Sequence, residues 1–134
     1  MGSSFRPLTS YERALLEKLL EPQFPGRDEL LRQMSSVTAK QILPDGTLVL
    51  KCDPNPPAPV KSRVATEGQC PDADGVTIHV LLHVVDGAMS ELEIFKDDSS
   101  EIRKPPSPND LVLFTPYGEA GVKWGAGEPG TGSA

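Results

Sequence analysis

The chain has 134 residues, of which 19 are acidic and 13 are basic, and its net charge at pH 7 is −6. This length is typical of one domain that can fold without a disulfide or a structural metal. The acidic balance excludes a typical nucleic-acid binder, because phosphate contacts need a basic surface. It is compatible with solubility alone or with a basic protein partner.

No apolar run approaches the ~18 residues that a membrane-spanning helix needs, and the N-terminus lacks the apolar stretch of a signal peptide. We therefore expect a cytoplasmic protein without membrane contact.

Cys52 and Cys70 match no zinc-finger spacing. We expect both to be reduced in the cytoplasm. Both lie at predicted strand ends, so a disulfide between them stays an open alternative.

Two helices are predicted near the N-terminus. Thr9 and Glu12 have the spacing of a capping box, with Thr9 as the N-cap and Glu12 at the third helical position. Apolar residues then recur about every four residues until Pro22, which ends the helix. A second, shorter helix is predicted from about Arg27 to Met34.

After the helices the apolar spacing changes from about four to two, which indicates strands. Strands are predicted at 37–43, 48–52, 60–69, 76–85 and 89–95, and a last apolar segment is predicted at 109–114. The predicted fold class is α+β, with two N-terminal helices packed on one face of an antiparallel sheet of about five strands. The predicted organisation is an N-terminal arm at 1–8, one domain at 9–115, and a disordered Gly/Pro-rich tail at 116–134.

The hairpin between Thr77 and Phe95 has a register that depends on the length of its loop. A two-residue loop would place Glu91 and Glu93 on an apolar face. Burial of two unpaired carboxylates costs several kcal/mol, which exceeds any preference for a turn type. We therefore predict the three-residue loop Val85–Asp86–Gly87, with its glycine in the left-handed conformation.

This register separates a core face from a polar face. The core face contains Ile78, Val80, Leu82, Leu92 and Ile94. The predicted pairs on the polar face are His79 with Glu93, Leu81 with Glu91, and His83 with Met89. The polar face is the candidate binding surface, and its candidate residues are His79, Leu81, His83, Met89, Glu91, Glu93 and Phe95.

Histidine and carboxylate side chains are suitable ligands for Zn²⁺, Fe²⁺ or Mn²⁺. His79 and His83, however, are about 13 Å apart along an extended strand, too far for one ion to bind both readily. A cross-strand pair of His79 with Glu93 needs no ion. The same pair could act as a general base, but no nucleophile or oxyanion donor accompanies it. Phosphate-loop, dinucleotide-binding and nucleophile-elbow motifs are also missing. We therefore expect no catalytic residue, no cofactor and no metal.

The segment Leu-Leu-His-Val-Val-Asp-Gly at 81–87, followed by Ser90 to Phe95, contains the pattern D-G-x-x-x-E-L-E. This pattern resembles a family of small bacterial proteins described only as a domain of unknown function. Residues 8–16 and the Phe24–Pro25–Gly26 turn are similar to the start of that family, so the resemblance covers about Arg6 to Thr115. Loosely similar proteins are encoded near bacterial toxin systems. The resemblance implies no catalytic residues, and it favours a toxin-neutralising or other interaction role.

The leading functional prediction is a non-catalytic binding protein, such as an immunity-type inhibitor of a basic toxin. It depends on the acidic charge, on the missing catalytic motifs, and on apolar side chains placed among charges on the polar sheet face. One alternative is a small-molecule- or metal-binding protein that uses His79 and Glu93. Another is a structural subunit of a larger assembly. The oligomeric state is left open.

Overall fold

A computed structural model describes residues 4–116. Within this range, two helices lie against one sheet of seven strands, and all neighbouring strands are antiparallel. The helices are α1 (Ser10–Leu19) and α2 (Arg27–Gln33). The strands are β1 (Arg6–Pro7), β2 (Thr38–Gln41), β3 (Leu48–Lys51), β4 (Val64–Pro71), β5 (Thr77–Val85), β6 (Ala88–Lys96) and β7 (Val112–Phe114).

The strands lie in the order β1-β2-β3-β6-β5-β4-β7, which places the two shortest strands at the two edges. The α+β prediction is confirmed, but the prediction of about five strands is wrong. One additional strand, β1, comes from the predicted N-terminal arm, and the other, β7, comes from the last apolar segment. Strands of two and three residues are too short to show an alternating pattern, so their pairing could not be predicted from it.

The predicted boundaries of the arm and the domain stay predictions. Almost all of the predicted tail, 116–134, lies outside the described residues, and only Pro116 falls within them. The third predicted strand begins at Val64 and not at Val60. Neither of the two helices in the described part is long and apolar enough to cross a membrane.

The capping box at the start of α1 is confirmed. Thr9 Oγ1 accepts a hydrogen bond from the Glu12 amide (3.1 Å), and Glu12 Oε1 accepts one from the Thr9 amide (2.9 Å). Both Glu12 oxygens also accept hydrogen bonds from the Arg6 guanidinium, at 2.7 and 2.9 Å. This bidentate pair connects edge strand β1 to the first turn of α1.

The core lies between the helices and one face of the sheet. The helices contribute buried leucines, namely Leu15, Leu16, Leu19, Leu20 and Leu30. The predicted core face of the hairpin is confirmed, since each of its five members, Ile78, Val80, Leu82, Leu92 and Ile94, is at most 3% exposed. The other face of the hairpin therefore points away from the helices.

The turn of the hairpin is shorter than predicted. Asp86 and Gly87 form a two-residue turn with φ of 52° and 78°, the conformation of a type I′ turn, so the predicted three-residue loop is wrong. Val84 pairs with Met89, but the next pair is His83 with Glu91. Ser90 is therefore an extra residue in β6, and it forms a β-bulge.

The shorter turn and the bulge each contribute one residue, so every pair beyond the bulge is shifted by two residues from the predicted register. His79 faces Phe95 and not Glu93, Leu81 faces Glu93 and not Glu91, and His83 faces Glu91 and not Met89. A second candidate assignment also changes. Met89 lies between the turn and the bulge, where the alternation is reversed, and it is 1% exposed. Met89 therefore belongs to the core and not to the candidate binding surface.

A buried side chain from α2 holds the turn and the bulge together. Gln33 Nε2 donates to the Gly87 carbonyl (2.7 Å), and Gln33 Oε1 accepts from the Met89 amide (3.0 Å). The Cys52 thiol donates to the same oxygen at 3.1 Å. Cys52 and Cys70 are both free thiols, so the disulfide that was left open as an alternative does not form in this structure.

Candidate functional site

The candidate site is the face of the sheet that points away from the helices, which we call the outer face. Its central part consists of three rows of side chains across β4, β5 and β6 and the neighbouring strands. The rows are Gln69–His79–Phe95, Glu67–Leu81–Glu93 and His83–Glu91–Val49. Six of the seven predicted binding residues lie here, and each of them is half-buried or exposed.

His79 is held between two carboxylates on the outer face. Its Nδ1 contacts Glu67 Oε2, and its Nε2 contacts Asp97 Oδ1 at 2.5 Å. The imidazole also stacks on the ring of Phe95, with centroids 4.7 Å apart and planes 7° apart. Both ring nitrogens face acceptors, so both must carry a proton, and His79 is an imidazolium.

The pKa of His79 is raised above its ordinary value. The hydrogen bond to Glu67 is the largest cause, and the hydrogen bond to Asp97 acts in the same direction. Together these contacts outweigh partial burial, which lowers the pKa. Glu67 itself is oriented by Gln69 Nε2, which donates to Glu67 Oε2 at 3.0 Å.

This arrangement predicts a specific pH dependence of stability. A raised pKa in the folded state means that the stabilisation by His79 is fully present below the unfolded value of about 6.5. The stabilisation is lost as the pH rises through the folded pKa. In thermal unfolding measured from pH 5.5 to 9, the advantage of the wild type over His79→Gln should therefore shrink as the pH increases. A difference that stays constant, or an NMR titration of His79 with a midpoint at or below 6.5, would contradict the prediction.

His83 is in a different protonation state. Arg63 Nε, which can only donate, lies 3.0 Å from His83 Nδ1. Nδ1 must therefore accept, and the proton of a neutral ring resides on Nε2. Nε2 donates it to Glu93 Oε1 at 2.7 Å. The two histidines of the outer face therefore differ, since one is cationic and the other is neutral.

Neither histidine has a free lone pair in this arrangement. The nitrogens of His79 both donate, and the acceptor nitrogen of His83 is occupied by Arg63. A general base needs an unprotonated atom within reach of the substrate. The predicted pair of His79 with Glu93 does not form, because Glu93 contacts His83. In this arrangement neither histidine offers an unprotonated nitrogen that could act as a general base.

The charges on the outer face are unevenly distributed. Its central part holds four carboxylates, those of Glu67, Glu91, Glu93 and Asp97, around the half-buried Leu81 and the exposed Phe95. At the β2–β3 end, the ammonium groups of Lys40 and Lys51 lie 5.9 and 5.2 Å from the centroid of the Phe5 ring. The face thus has an acidic, partly apolar centre and a basic corner.

Three contributors to the site were missed by the sequence reasoning. Glu67, Asp97 and Arg63 each contact one of the histidines from β4 or from loops. Glu67 and Gln69 occupy alternate positions in β4, which was a usable signal once that strand was predicted. Asp97 follows β6, whose end was predicted to within one residue, and Arg63 precedes β4, whose start was predicted four residues too early. Neither boundary indicates that these two side chains reach the histidines.

A family model for a "Domain of unknown function (DUF6984)" matches residues 5–106. This match covers α1, α2, β1–β6 and therefore the whole central part of the outer face. The chain belongs to this family, which confirms the resemblance to an uncharacterised family. Comparison with curated proteins gave no match, and neither did comparison with solved structures.

Proposed function

We propose that the protein is a non-catalytic binding protein that uses the outer face to bind a basic protein partner. An immunity-type inhibitor of a basic toxin is the form of this function that we favour. The observation that carries the proposal is the acidic centre, in which four carboxylates surround Leu81 and Phe95 on a face that neither helix covers. Aromatic and aliphatic anchors within a polar rim are the usual composition of a protein interface.

The charge distribution supports a partner that is basic where it meets the centre of the face. Complementary charges increase the rate of encounter and orient the partner. The basic corner at Lys40 and Lys51 supplies a second, opposite charge that would fix which way round the partner docks. The net charge of −6, like the acidic centre, attracts a positively charged partner.

The state of the histidines supports a role without catalysis. His79 and His83 are fully engaged by neighbouring charged side chains, so neither is free to act as a base. We further propose that the protein works in the cytoplasm, where two free thiols such as Cys52 and Cys70 are stable.

Site-specific photo-crosslinking in the native host tests where a partner docks. A photoreactive phenylalanine at Phe95 should crosslink to a basic protein. The same group at Tyr11 should not, although Tyr11 is about as exposed, at 39% against 36%, because it lies on α1. Equal crosslinking from both positions, or no protein crosslinked from Phe95, would refute the proposal.

Affinity for the crosslinked partner then tests the role of charge. Leu81→Arg introduces a positive charge into the acidic centre and should weaken binding about tenfold or more. Leu31→Arg is the matched control, because Leu31 is an exposed leucine on α2, and it should leave the affinity unchanged. Binding that tolerates Leu81→Arg as well as Leu31→Arg would show that the partner does not use the outer face.

A further inference from the structure

His83, Glu91 and Glu93 form a compact group of metal-ligating side chains at one end of the acidic centre. One ligand atom from each residue lies within 4.8 Å of the others, and all three side chains are half-buried. Strand pairing produces this group, since Glu91 is directly opposite His83 and Glu93 is two residues further along the same face of β6. The hydrogen-bonded scaffold of two central strands therefore positions all three donors.

Glu91 distinguishes this group from an ordinary surface network. Within residues 4–116, its carboxylate has no hydrogen bond and no ion pair, whereas Glu93 accepts a hydrogen bond from His83. Two neighbouring carboxylates repel each other, and the neutral His83 does not compensate their charge. The group therefore holds two carboxylates beside an imidazole, and the Arg63 guanidinium on the far side of that ring is the nearest positive charge among the hydrogen bonds of the group.

We propose that His83, Glu91 and Glu93 bind a divalent transition-metal ion, with Zn²⁺ as the representative. One imidazole nitrogen and two carboxylate oxygens are a donor set that suits Zn²⁺, Mn²⁺ or Fe²⁺, and the imidazole disfavours Ca²⁺ and Mg²⁺. Ligands around one such ion are about 3.3–3.5 Å apart, so donors now within 4.8 Å of one another need to close by no more than about 1.5 Å.

Arg63 affects how tightly this site can bind an ion, through its hydrogen bond to His83. It donates to His83 Nδ1 and thereby keeps the ring proton on Nε2, the nitrogen that faces Glu93. An ion that binds Nε2 displaces this proton, and the ring takes one proton back from solvent at Nδ1, so the ring stays neutral and no net proton is released. Arg63 must at that point release Nδ1. Its side chain is exposed and can move away, so Arg63 competes with the ion without blocking it.

The full-length protein, stripped of metal with a chelator, tests the proposal by calorimetric titration with ZnCl₂ at pH 7. The chain has only two histidines, so NMR signals of the imidazoles report the site directly. Zn²⁺ should bind with a stoichiometry of one and shift the signals of His83 but not those of His79. Glu91→Gln and His83→Asn should each weaken binding about tenfold or more.

Arg63→Met separates the proposal from unspecific binding of a cation to carboxylates. Removal of the competing donor and its positive charge should tighten Zn²⁺ binding about tenfold. Glu67→Gln, on the same face but outside the group, should change the affinity by less than about twofold. The proposal is overturned if neither the wild type nor Arg63→Met binds Zn²⁺. It is also overturned if Glu91→Gln and His83→Asn bind as the wild type does, which would place the ion elsewhere, such as at the thiols.

Discussion

Asp72→Asn is expected to lower the thermal midpoint of unfolding by about 10 °C or more, because it disrupts a buried ion pair that joins three segments of the chain. Asp72 and Lys96 are 5% and 3% exposed, and the Lys96 ammonium lies 2.8 Å from Asp72 Oδ2. The carboxylate also accepts from the amides of Ala73 (2.7 Å), Arg103 (2.8 Å) and Lys104 (2.9 Å). An asparagine retains one of the two oxygens and turns an NH₂ group toward donors.

The pKa of Asp72 explains the direction of its pH dependence. Burial alone raises this pKa, but the hydrogen bonds from Lys96 and from the three backbone amides outweigh burial and hold the pKa well below its ordinary value. The stabilisation is therefore present above the unfolded value of about 3.9, and it is lost as the pH falls toward the folded pKa. The difference between the wild type and Asp72→Asn should be constant near neutral pH and should narrow in acid.

Asp98→Asn is the control for this substitution. Asp98 also closes a turn and accepts hydrogen bonds from Ser100, at 3.0 and 2.7 Å, but it is exposed. Its replacement should change the midpoint by no more than about 2 °C. Thermal unfolding followed by circular dichroism measures both variants. Equal effects of the two substitutions would mean that the buried pair contributes no more than an ordinary turn residue.

Gly87→Ala is expected to destabilise the protein by about 3 kcal/mol, through backbone strain and a steric clash together. Gly87 has a φ of 78°, and a Cβ atom there would lie 2.5 Å from Pro57 Cβ and 2.9 Å from the Ala58 nitrogen. The proline-rich loop cannot retreat easily. The Ala58 amide donates to the Gly87 carbonyl at 2.9 Å, and Gln33 donates to the same oxygen.

Gly75→Ala isolates the contribution of the clash. Gly75 has a similar φ of 87°, but nothing lies within 4 Å of the position that its Cβ would occupy. Its replacement should cost only the strain of a left-handed residue, about 1 kcal/mol. Urea unfolding of both variants gives the two free energies. If the two losses are equal, the packing of the loop against the turn is not tight, and the proposed clash is refuted.

The alternation of the central hairpin was enough to predict its core face, although it misplaced the buried Met89. Ile78, Val80 and Leu82 share one face of β5, and the cost of burying the glutamates of β6 is high enough to exclude the opposite arrangement. The alternation did not predict the length of the turn. A longer loop and a bulge both keep the glutamates out of the core, and the sequence of the hairpin does not distinguish them.

The choice between these solutions depends on contacts from far along the chain. Gln33 binds Gly87 and Met89, which are 54 and 56 residues away, and thereby stabilises the tight turn together with the bulge. The wrong loop length also changed the predicted site. The predicted neighbour of His79 across the strands was Glu93, whereas the observed neighbour is Phe95, two residues further along β6. The local alternation predicted which face of the hairpin is buried, whereas long-range hydrogen bonds determine which side chains are neighbours on the outer face.

The short edge strands restrict how this protein can associate with other proteins. Long open edges invite further strands, and they are a common route to fibrils and to exchange of segments between copies. Here the edge strands have two and three residues, and Pro7 in β1 has no amide proton to offer an incoming strand. Extension of the sheet is therefore unfavourable in the described part of the chain. The broad surface of the sheet presents side chains and no open backbone, so the partner that we propose would be selected there by side-chain contacts.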